Sequence, residues 1–140
     1  MDKNVILVGV GGFAGSICRY LVSIFAATHI SPTFPFGTMI ANLGGCFLIG
    51  TVMSFSERFG AVTPEVRILL TTGFCGGFTT FSTFSYESLE LIREGEFVPF
   101  AVNVLVSLIL GLVATYLGQG CFKVWNWNAM PNYCGFLSGS

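Results

Sequence analysis

Long apolar stretches alternate with short polar or proline-containing segments along this chain. The separating segments are "HISPTFP", "SERFGAVTPE" and "REGE", whose prolines and charges are typical of loops. Since an α-helix needs about 20 mostly apolar residues to cross a bilayer, each stretch between the separators is long enough to do so. The pattern predicts four membrane-spanning helices, at residues 4–28, 36–55, 66–92 and 97–121.

The third stretch departs from this pattern in its middle, where it reads "GFCGGFTTFSTFSYE" (residues 73–87). Gly76 and Gly77 each lower helix propensity by about 1 kcal/mol relative to alanine, and five of the seven residues 79–85 carry hydroxyls. Backbone groups exposed at membrane depth are tolerated only where they face protein, water or an ion. We therefore expect a broken third helix, with a kinked but tightly packed helix as the alternative. Thr63 and Pro64 suit the start of this span as its N-cap and first residue.

The composition supports a membrane protein, because charged residues are 9% of the chain, against about 25% in soluble domains. Hydrophobic residues make up 53%. Lysine and arginine favour cytoplasmic termini by four residues to one. The four on the side of the termini are Lys3, Arg58, Arg67 and Lys123, and the one on the other side is Arg93. A net charge of −1 gives no electrostatic case for nucleic acid as a partner.

The glycines near the N-terminus allow two interpretations. "VILVGVGGFAG" contains a G-x-G-x-x-A pattern, which is typical of dinucleotide-binding turns. That fold needs an acidic residue about 20 positions later, and none occurs between Asp2 and Glu57. Gly11 and Gly15 also form G-x-x-x-G, a close-packing surface of membrane helices, and this is the interpretation that we adopt.

The five cysteines contain no C-x-x-C pair, and three of them lie in apolar stretches. They are predicted to be small packing residues, with disulfides left open. His29 is the one histidine, so the sequence offers no histidine-based metal or catalytic cluster.

Polar side chains inside the other spans form rows at helical spacing. Asn42 lies one turn from Thr38 and from Cys46, and its amide either joins two helices or donates to an ion. Arg19 is a charge within the first span, which is costly there, so it should face protein or water or reach an interface. The alternatives are an interfacial anchor and a cation at the mouth of an anion path. A second row, which should face a cavity or another helix, consists of Asn103, Ser107, Gly111 and Thr115.

The third span offers more donors than acids. Phe81 and Phe84 are three residues apart, and their electropositive ring edges can face an anion. A path for cations would instead favour acidic side chains, and Glu87 is the only acid of the motif. The polar positions therefore favour an anion path.

Several stretches resemble the CrcB/Fluc fluoride channels. They are "GTMIANLGG" in the second span, "GGFTTFSTFSYE" in the third, "NVLVSLILG" in the fourth, and Arg19 in the first. The resemblance covers about residues 4 to 122 in the order of all four spans, so residues 1–122 are expected to form one channel domain and residues 123–140 an unassigned tail. It implies an all-α protein of the inner cell membrane that releases fluoride passively and so lowers its cytoplasmic concentration.

The resemblance also implies roles for individual residues. Phe81 and Phe84 match the paired phenylalanines that contact fluoride along the pore, and Asn42 matches the asparagine near them. Arg19 matches the vestibule arginine, and Glu87 matches the acidic residue that closes the motif. The polar track comprises Ser82 and Thr83 by motif, and Ser107 and Thr115 by spacing.

A sodium ion and a partner subunit are implied in the same way. Gly76 and Thr79 match the positions whose backbone carbonyls hold a central, structural sodium ion. Family members are dimers of antiparallel subunits, with two pores between them. Members that insert in both orientations have little lysine and arginine bias. The 4-to-1 bias here leaves two partners open, an identical antiparallel copy or an oppositely oriented paralogue.

Two other classes of function remain as alternatives. A small four-span exporter would need a titratable carboxylate deep in a span, and the first, second and fourth spans contain none. A structural membrane subunit would use the polar rows only for packing. An enzyme is not expected, because the sequence shows neither a metal cluster nor a nucleophile–base pair.

Overall fold

The computed structural model describes residues 3–31, 34–59 and 62–121, and within these ranges the chain forms helices and no strand. Three helices are continuous, apolar and long enough to cross a membrane. They confirm the predicted first, second and fourth spans, and the largest difference is at the end of the second span, predicted at residue 55 and found at Phe59. The three are α1 (Lys3–His29), α2 (Phe36–Phe59) and α6 (Phe97–Gly120).

The third span is interrupted, as predicted. It begins where the Thr63 side chain accepts a hydrogen bond from the Val66 N–H at 3.4 Å, with Pro64 in the first turn. Thr79 and Thr80 then adopt extended backbone, with ψ angles of 156° and 118°. The segments of the span are α3 (Pro64–Ile68), a π-helical segment (Leu69–Cys75), α4 (Gly76–Phe78) and α5 (Phe81–Arg93).

The interruption lies after the glycine pair and not at it, which corrects the interpretation of Gly76 and Gly77 as the breaking residues. Both glycines are helical and belong to α4. Gly77 is needed for packing, because a Cβ atom there would collide with the carbonyl oxygen of Gly12 in α1. The helix ends one residue later, at Phe78, and the side chain of Asn42 replaces a backbone partner just beyond it, as described below.

The first and third spans pack backbone to backbone. Gly11 and Gly15 are buried in α1. A Cβ atom on Gly11 would collide with the carbonyl of Leu69, and one on Gly15 with the carbonyl of Phe74. The prediction that this G-x-x-x-G pair packs against another helix is confirmed, and its partner is the π-helical segment. Single π-helical turns within α-helices are frequent at functional sites.

The second and fourth spans pack closely along one another through small residues. Gly50 of α2 lies against the Thr115 carbonyl, and Gly118 of α6 lies against the Phe47 carbonyl. The buried Ser54 hydroxyl donates to the Gln119 carbonyl at 2.7 Å. The outward faces of α1 and α6 carry exposed Phe, Leu, Ile and Val side chains, which suits lipid contact. The described chain is thus a small helical bundle of a multi-pass membrane protein.

Four cysteines are free thiols in the described part of the chain: Cys18, Cys46, Cys75 and Cys121. Cys75 is buried and Cys46 half-buried, in line with the prediction of packing residues. Cys134, Lys123 and the rest of the predicted tail lie outside the described residues. The membrane orientation that the lysine and arginine count favours stays a prediction.

Candidate functional site

A groove with a volume of about 480 Å³ lies between α2, the interruption of the third span, α5 and α6. It brings together residues that the sequence placed in three separate spans. Its apolar wall includes Val104, Leu108 and Leu112 of α6. Its polar and aromatic lining consists of Asn42, Cys46, Thr79, Thr80, Phe81, Phe84, Ser107 and Thr115.

Asn42 holds the extended backbone at the interruption. Its Nδ2 donates to the Thr80 carbonyl at 3.2 Å, and its Oδ1 accepts from the Thr80 N–H at 2.7 Å. The side-chain amide therefore pairs with the Thr80 backbone as a neighbouring peptide group would. Since an asparagine amide has two N–H bonds, one remains for another acceptor. Asn42 therefore holds the extended Thr80 backbone and also offers a hydrogen-bond donor at the groove.

The Thr80 side chain caps the helix that follows. Its Oγ1 accepts from the Thr83 N–H at 3.3 Å and donates to the Thr83 hydroxyl at 3.0 Å. The Ser82 hydroxyl lies 3.2 Å from the same oxygen. Ser82 and Thr83 thus surround the N-cap of α5 and are not among the residues that line the groove. Their assignment to a hydroxyl track stays a prediction.

Phe81 and Phe84 begin α5 and lie on one side of it, with ring centroids 6.0 Å apart and planes inclined by 38°. Both line the groove. Phe81 is 80% exposed, whereas Phe84 is half-buried. Thr80 caps the first turn of α5, which carries the two rings. Both rings therefore line the same groove as Asn42.

Ser107 brings an unpaired donor to the groove. Its Oγ is buried and has no hydrogen-bond partner within the described residues. A buried hydroxyl without a partner costs about 1–3 kcal/mol, a cost that a ligand accepting its hydrogen bond would remove. Thr115 differs, because its hydroxyl donates to the Gly111 carbonyl of its own helix at 3.0 Å. Gly111 leaves open the space opposite the Cys46 sulfur.

Arg19 lies behind the interruption and is not among the groove-lining residues. Its Nε donates to the Gly77 carbonyl at 3.2 Å, and its side chain is half-buried. It therefore satisfies a carbonyl at the end of α4. This contact fits the expectation that Arg19 faces protein, and the assignment of Arg19 to a vestibule stays a prediction.

Glu87 joins α5 to α2. Its Oε1 accepts from the buried Thr38 hydroxyl at 2.8 Å, and its Oε2 is buried without a partner within the described residues. The carboxylate lies in a second, smaller cavity of about 170 Å³ beside Phe34 and Tyr86. It is one turn beyond Thr83 and does not line the groove.

Among the carbonyl oxygens that lose their helical donors at the interruption, those of Gly76 and Thr79 can bind a metal ion. In a continuous helix the Gly76 carbonyl would accept from the Thr80 N–H, and the Thr79 carbonyl from the Thr83 N–H. Those N–H groups bond instead to Asn42 and to the Thr80 hydroxyl. The described residues contain no group of three or more His, Cys, Asp or Glu side chains suited to a metal. Backbone oxygens of this kind fit a hard cation.

Sequence reasoning did not single out Thr80, Cys46 and Gly111 as site residues. All three nevertheless belong to patterns visible in the sequence. Cys46 and Gly111 lie in the two rows of four-residue spacing, and Thr80 lies in the run of hydroxyl residues. Only the pairing of Asn42 with the Thr80 backbone, which joins residues 38 positions apart, identifies Thr80 as the point where the helix stops.

Comparisons with known proteins agree on one family. The family model described as CrcB-like protein, Camphor Resistance (CrcB), matches residues 6–119. The chain is 49% identical over 123 residues to the fluoride-specific ion channel FluC of Chlorobaculum tepidum, covering 88% of this chain and 97% of that one. It is 46% identical over 121 residues to the protein of the same name from Chlorobium phaeobacteroides, covering 86% and 94%. With the FluC protein of Geotalea daltonii it shares 47% identity over 116 residues, covering 83% and 94%. The chain, with its interrupted third span and its asparagine-supported groove, belongs to the CrcB family.

Proposed function

We propose that this chain is a subunit of a passive, fluoride-selective ion channel that lets fluoride leave the cytoplasm. The observation that carries the proposal is the buried, unpaired hydroxyl of Ser107, a residue that lines the same groove as Asn42 and the two phenylalanine rings. The FluC names of the relatives point to the same ion.

The lining suits a small anion that is strongly hydrated. Such an ion leaves water only where several donors replace its hydration shell. The groove offers the remaining Asn42 N–H, the Ser107 hydroxyl and the electropositive edges of Phe81 and Phe84. The residues that line it include no acidic side chain, so nothing in the lining repels an anion. The apolar wall on α6 supplies no further donors, which disfavours a wide, water-filled path.

The direction of transport follows from the membrane potential. Hydrogen fluoride crosses a bilayer uncharged and ionises in a neutral cytoplasm, which traps the anion. An inside-negative potential then favours anion exit by about 2.3 kcal/mol per 100 mV. A passive pore is sufficient for export, and no coupling ion is needed.

A second subunit would complete the pathway. The groove of one chain opens on its surface, and Phe81 is 80% exposed beside it. A large aromatic side chain next to unpaired donors does not suit lipid, whose tails cannot satisfy the donors. We propose an antiparallel dimer, with an identical copy as the first candidate partner and an oppositely oriented paralogue as the second.

A structural sodium ion at the interruption forms part of the same proposal. The Gly76 and Thr79 carbonyls, whose usual donors are engaged elsewhere, would hold it. When bound, the ion would supply a fixed positive charge that satisfies carbonyl oxygens at membrane depth. Arg19 takes the Gly77 carbonyl between them, so the guanidinium already satisfies one of the oxygens that the break exposes.

Fluoride efflux from liposomes tests the proposed function. Purified protein is reconstituted with potassium fluoride or potassium chloride inside, and release is followed with ion-selective electrodes after valinomycin is added. We expect fast fluoride release and chloride release at the level of empty liposomes. Chloride loss as fast as fluoride loss would contradict selectivity, and no loss of either ion would favour a structural subunit.

The reversal potential separates a channel from a proton-coupled exporter. In a planar bilayer a tenfold fluoride gradient should set a reversal potential of about 59 mV for a single charge. This value should not move when a pH gradient is imposed. A shift with pH would assign proton coupling to the protein, and the buried Glu87 oxygen would then be the first group to test.

Removal of sodium tests the cation site. We expect fluoride current to fall after exhaustive replacement of sodium by N-methyl-D-glucamine and to return when sodium is restored. Thr79→Ala should keep the sodium dependence, because the proposed ligand is a backbone oxygen and the Thr79 hydroxyl is engaged with the Cys75 carbonyl at 2.9 Å. An undiminished current without sodium, together with no sodium bound to the purified protein by elemental analysis, would refute the site.

A further inference from the structure

Asn103 is the largest fully buried side chain of the described residues, at 1% exposure. It lies in α6, a helix with a mostly apolar composition. A buried amide is costly unless its hydrogen bonds are made. Its Nδ2 donates to the Ser88 hydroxyl of α5 at 3.2 Å, and Ser88 is itself 6% exposed. This contact is therefore a buried polar link between two helices.

The link lies one helical turn from the groove on both helices. Ser88 follows Phe84 by four residues, and Ser107 follows Asn103 by four, so each pair shares one face of its helix. Phe84 and Ser107 line the groove, whereas Asn103 and Ser88 do not. The hydrogen bond thus joins the two faces that carry the aromatic and hydroxyl donors, without touching the space where an ion would pass.

Helix α5 is held at its start by the Thr80 cap and toward α2 by the bond between Thr38 and Glu87, so its bond to α6 is one of several anchors. The extended residues Thr79 and Thr80 separate it from α4, so the preceding helix does not fix its rotation. Ser88 and Leu91 are its buried residues. A rotation of α5 about its axis would move Phe81 and Phe84 together, because both stand on the face that Ser88 continues. The Asn103–Ser88 bond opposes that rotation at a point near the rings.

We propose that Asn103 is a positioning residue of the conduction pathway, acting through Ser88. Its amide sets the rotation and height of α5 against α6, and so sets the distance between the Phe81 and Phe84 edges and the Ser107 hydroxyl. The inference rests on the proposed fluoride-channel function. An apolar residue at position 103 would fill the space but would remove the bond that holds α5 against α6 beside the rings.

Unitary fluoride currents in planar bilayers test this role, together with the fluoride-to-chloride permeability ratio. The variants are Asn103→Leu, Ser88→Ala and the double variant. A residue that only stabilises the fold would change the number of active channels, and would leave the unitary current and the ratio unchanged. We expect each single variant to lower the unitary current by up to about tenfold, a factor that corresponds to the net free energy of one hydrogen bond. Each should also lower the fluoride-to-chloride permeability ratio.

The double variant should be no worse than Asn103→Leu, because both changes remove the same bond. Ser85→Ala is the matched control, since the Ser85 hydroxyl bonds only to the Phe81 carbonyl of its own helix in the described structure, and its current should stay within twofold. Should Asn103→Leu not fold, Ser88→Ala alone decides. Unchanged unitary current and ratio in Ser88→Ala, or additive losses in the double variant, would overturn the proposal. Wild-type protein that carries no fluoride would instead overturn the proposed function.

Discussion

Asn42→Asp is expected to abolish fluoride flux, with a reduction of about a thousandfold or more. The carboxylate replaces the only side-chain amide of the groove lining with a negative charge. Like charges about 4 Å apart repel by roughly 4 kcal/mol at the effective dielectric constant near a protein surface, which corresponds to about three decades in rate. The substitution also places an oxygen against the Thr80 carbonyl, where Asn42 now donates at 3.2 Å.

A second substitution separates the two functions of Asn42. Asn42→Ala removes the donor and the support of Thr80 without adding a charge, and should give a smaller loss than Asn42→Asp. Asn4→Asp makes the same chemical change at the exposed start of α1, so it serves as the control and should leave efflux unchanged. Normal conduction by Asn42→Asp, with intact protein on gel filtration, would show that this amide does not face the ion.

Replacing Phe81 or Phe84 with isoleucine should lower fluoride flux by about tenfold for each ring. Isoleucine keeps an apolar side chain of similar reach but has no electropositive edge, so the loss is that of about one donor to a charged group. The double variant should lose more than either single one. The measurement is the initial rate of fluoride efflux per active liposome.

Phe97→Ile is the control for both rings. Phe97 begins α6, is 65% exposed and does not line the groove, so its replacement should not change efflux. Because Phe81 is 80% exposed in the single chain, Phe81→Ile should not destabilise the bundle. Full flux in both ring variants would assign Phe81 and Phe84 to packing, and the groove would then need another explanation for its selectivity.

The apolar pattern predicted most of the fold, because each continuous span is specified locally. Prolines and charges end α1, α2 and α6 close to where the sequence places their ends. The third span was predicted to break within residues 76–79, and the extended residues are Thr79 and Thr80. Glycine propensity pointed to Gly76 and Gly77, whereas both are helical and Gly77 packs closely against Gly12 of α1. The side chain of Asn42, which is distant in sequence, determines where the helix stops.

The part of the site that could be predicted is the part that helical spacing reveals, namely which residues of one span lie on the same face of its helix. Asn42, Phe81, Phe84, Ser107 and Thr115 were named from patterns within single spans, and the fold brings them to one groove. Spacing does not reveal which neighbour a side chain meets across the bundle. For that reason the contact of Arg19 with the Gly77 carbonyl, and the grouping of Ser82 and Thr83 around the Thr80 cap, were not foreseen. The π-helical segment has no distinct sequence signal at all.

The backbone contact between α1 and the third span also bears on how the protein enters a membrane as it is synthesised. Insertion favours continuous apolar helices, and in the described residues α1, α2 and α6 are of that kind. The third span is interrupted and carries Glu87, so its own preference for lipid is weaker. Gly11 and Gly15 of α1, already in the bilayer, present a surface on which the third span can pack its glycines. A bulky residue at Gly15 should therefore leave the third span outside the bilayer and exposed to proteases during translation, before any pore has formed.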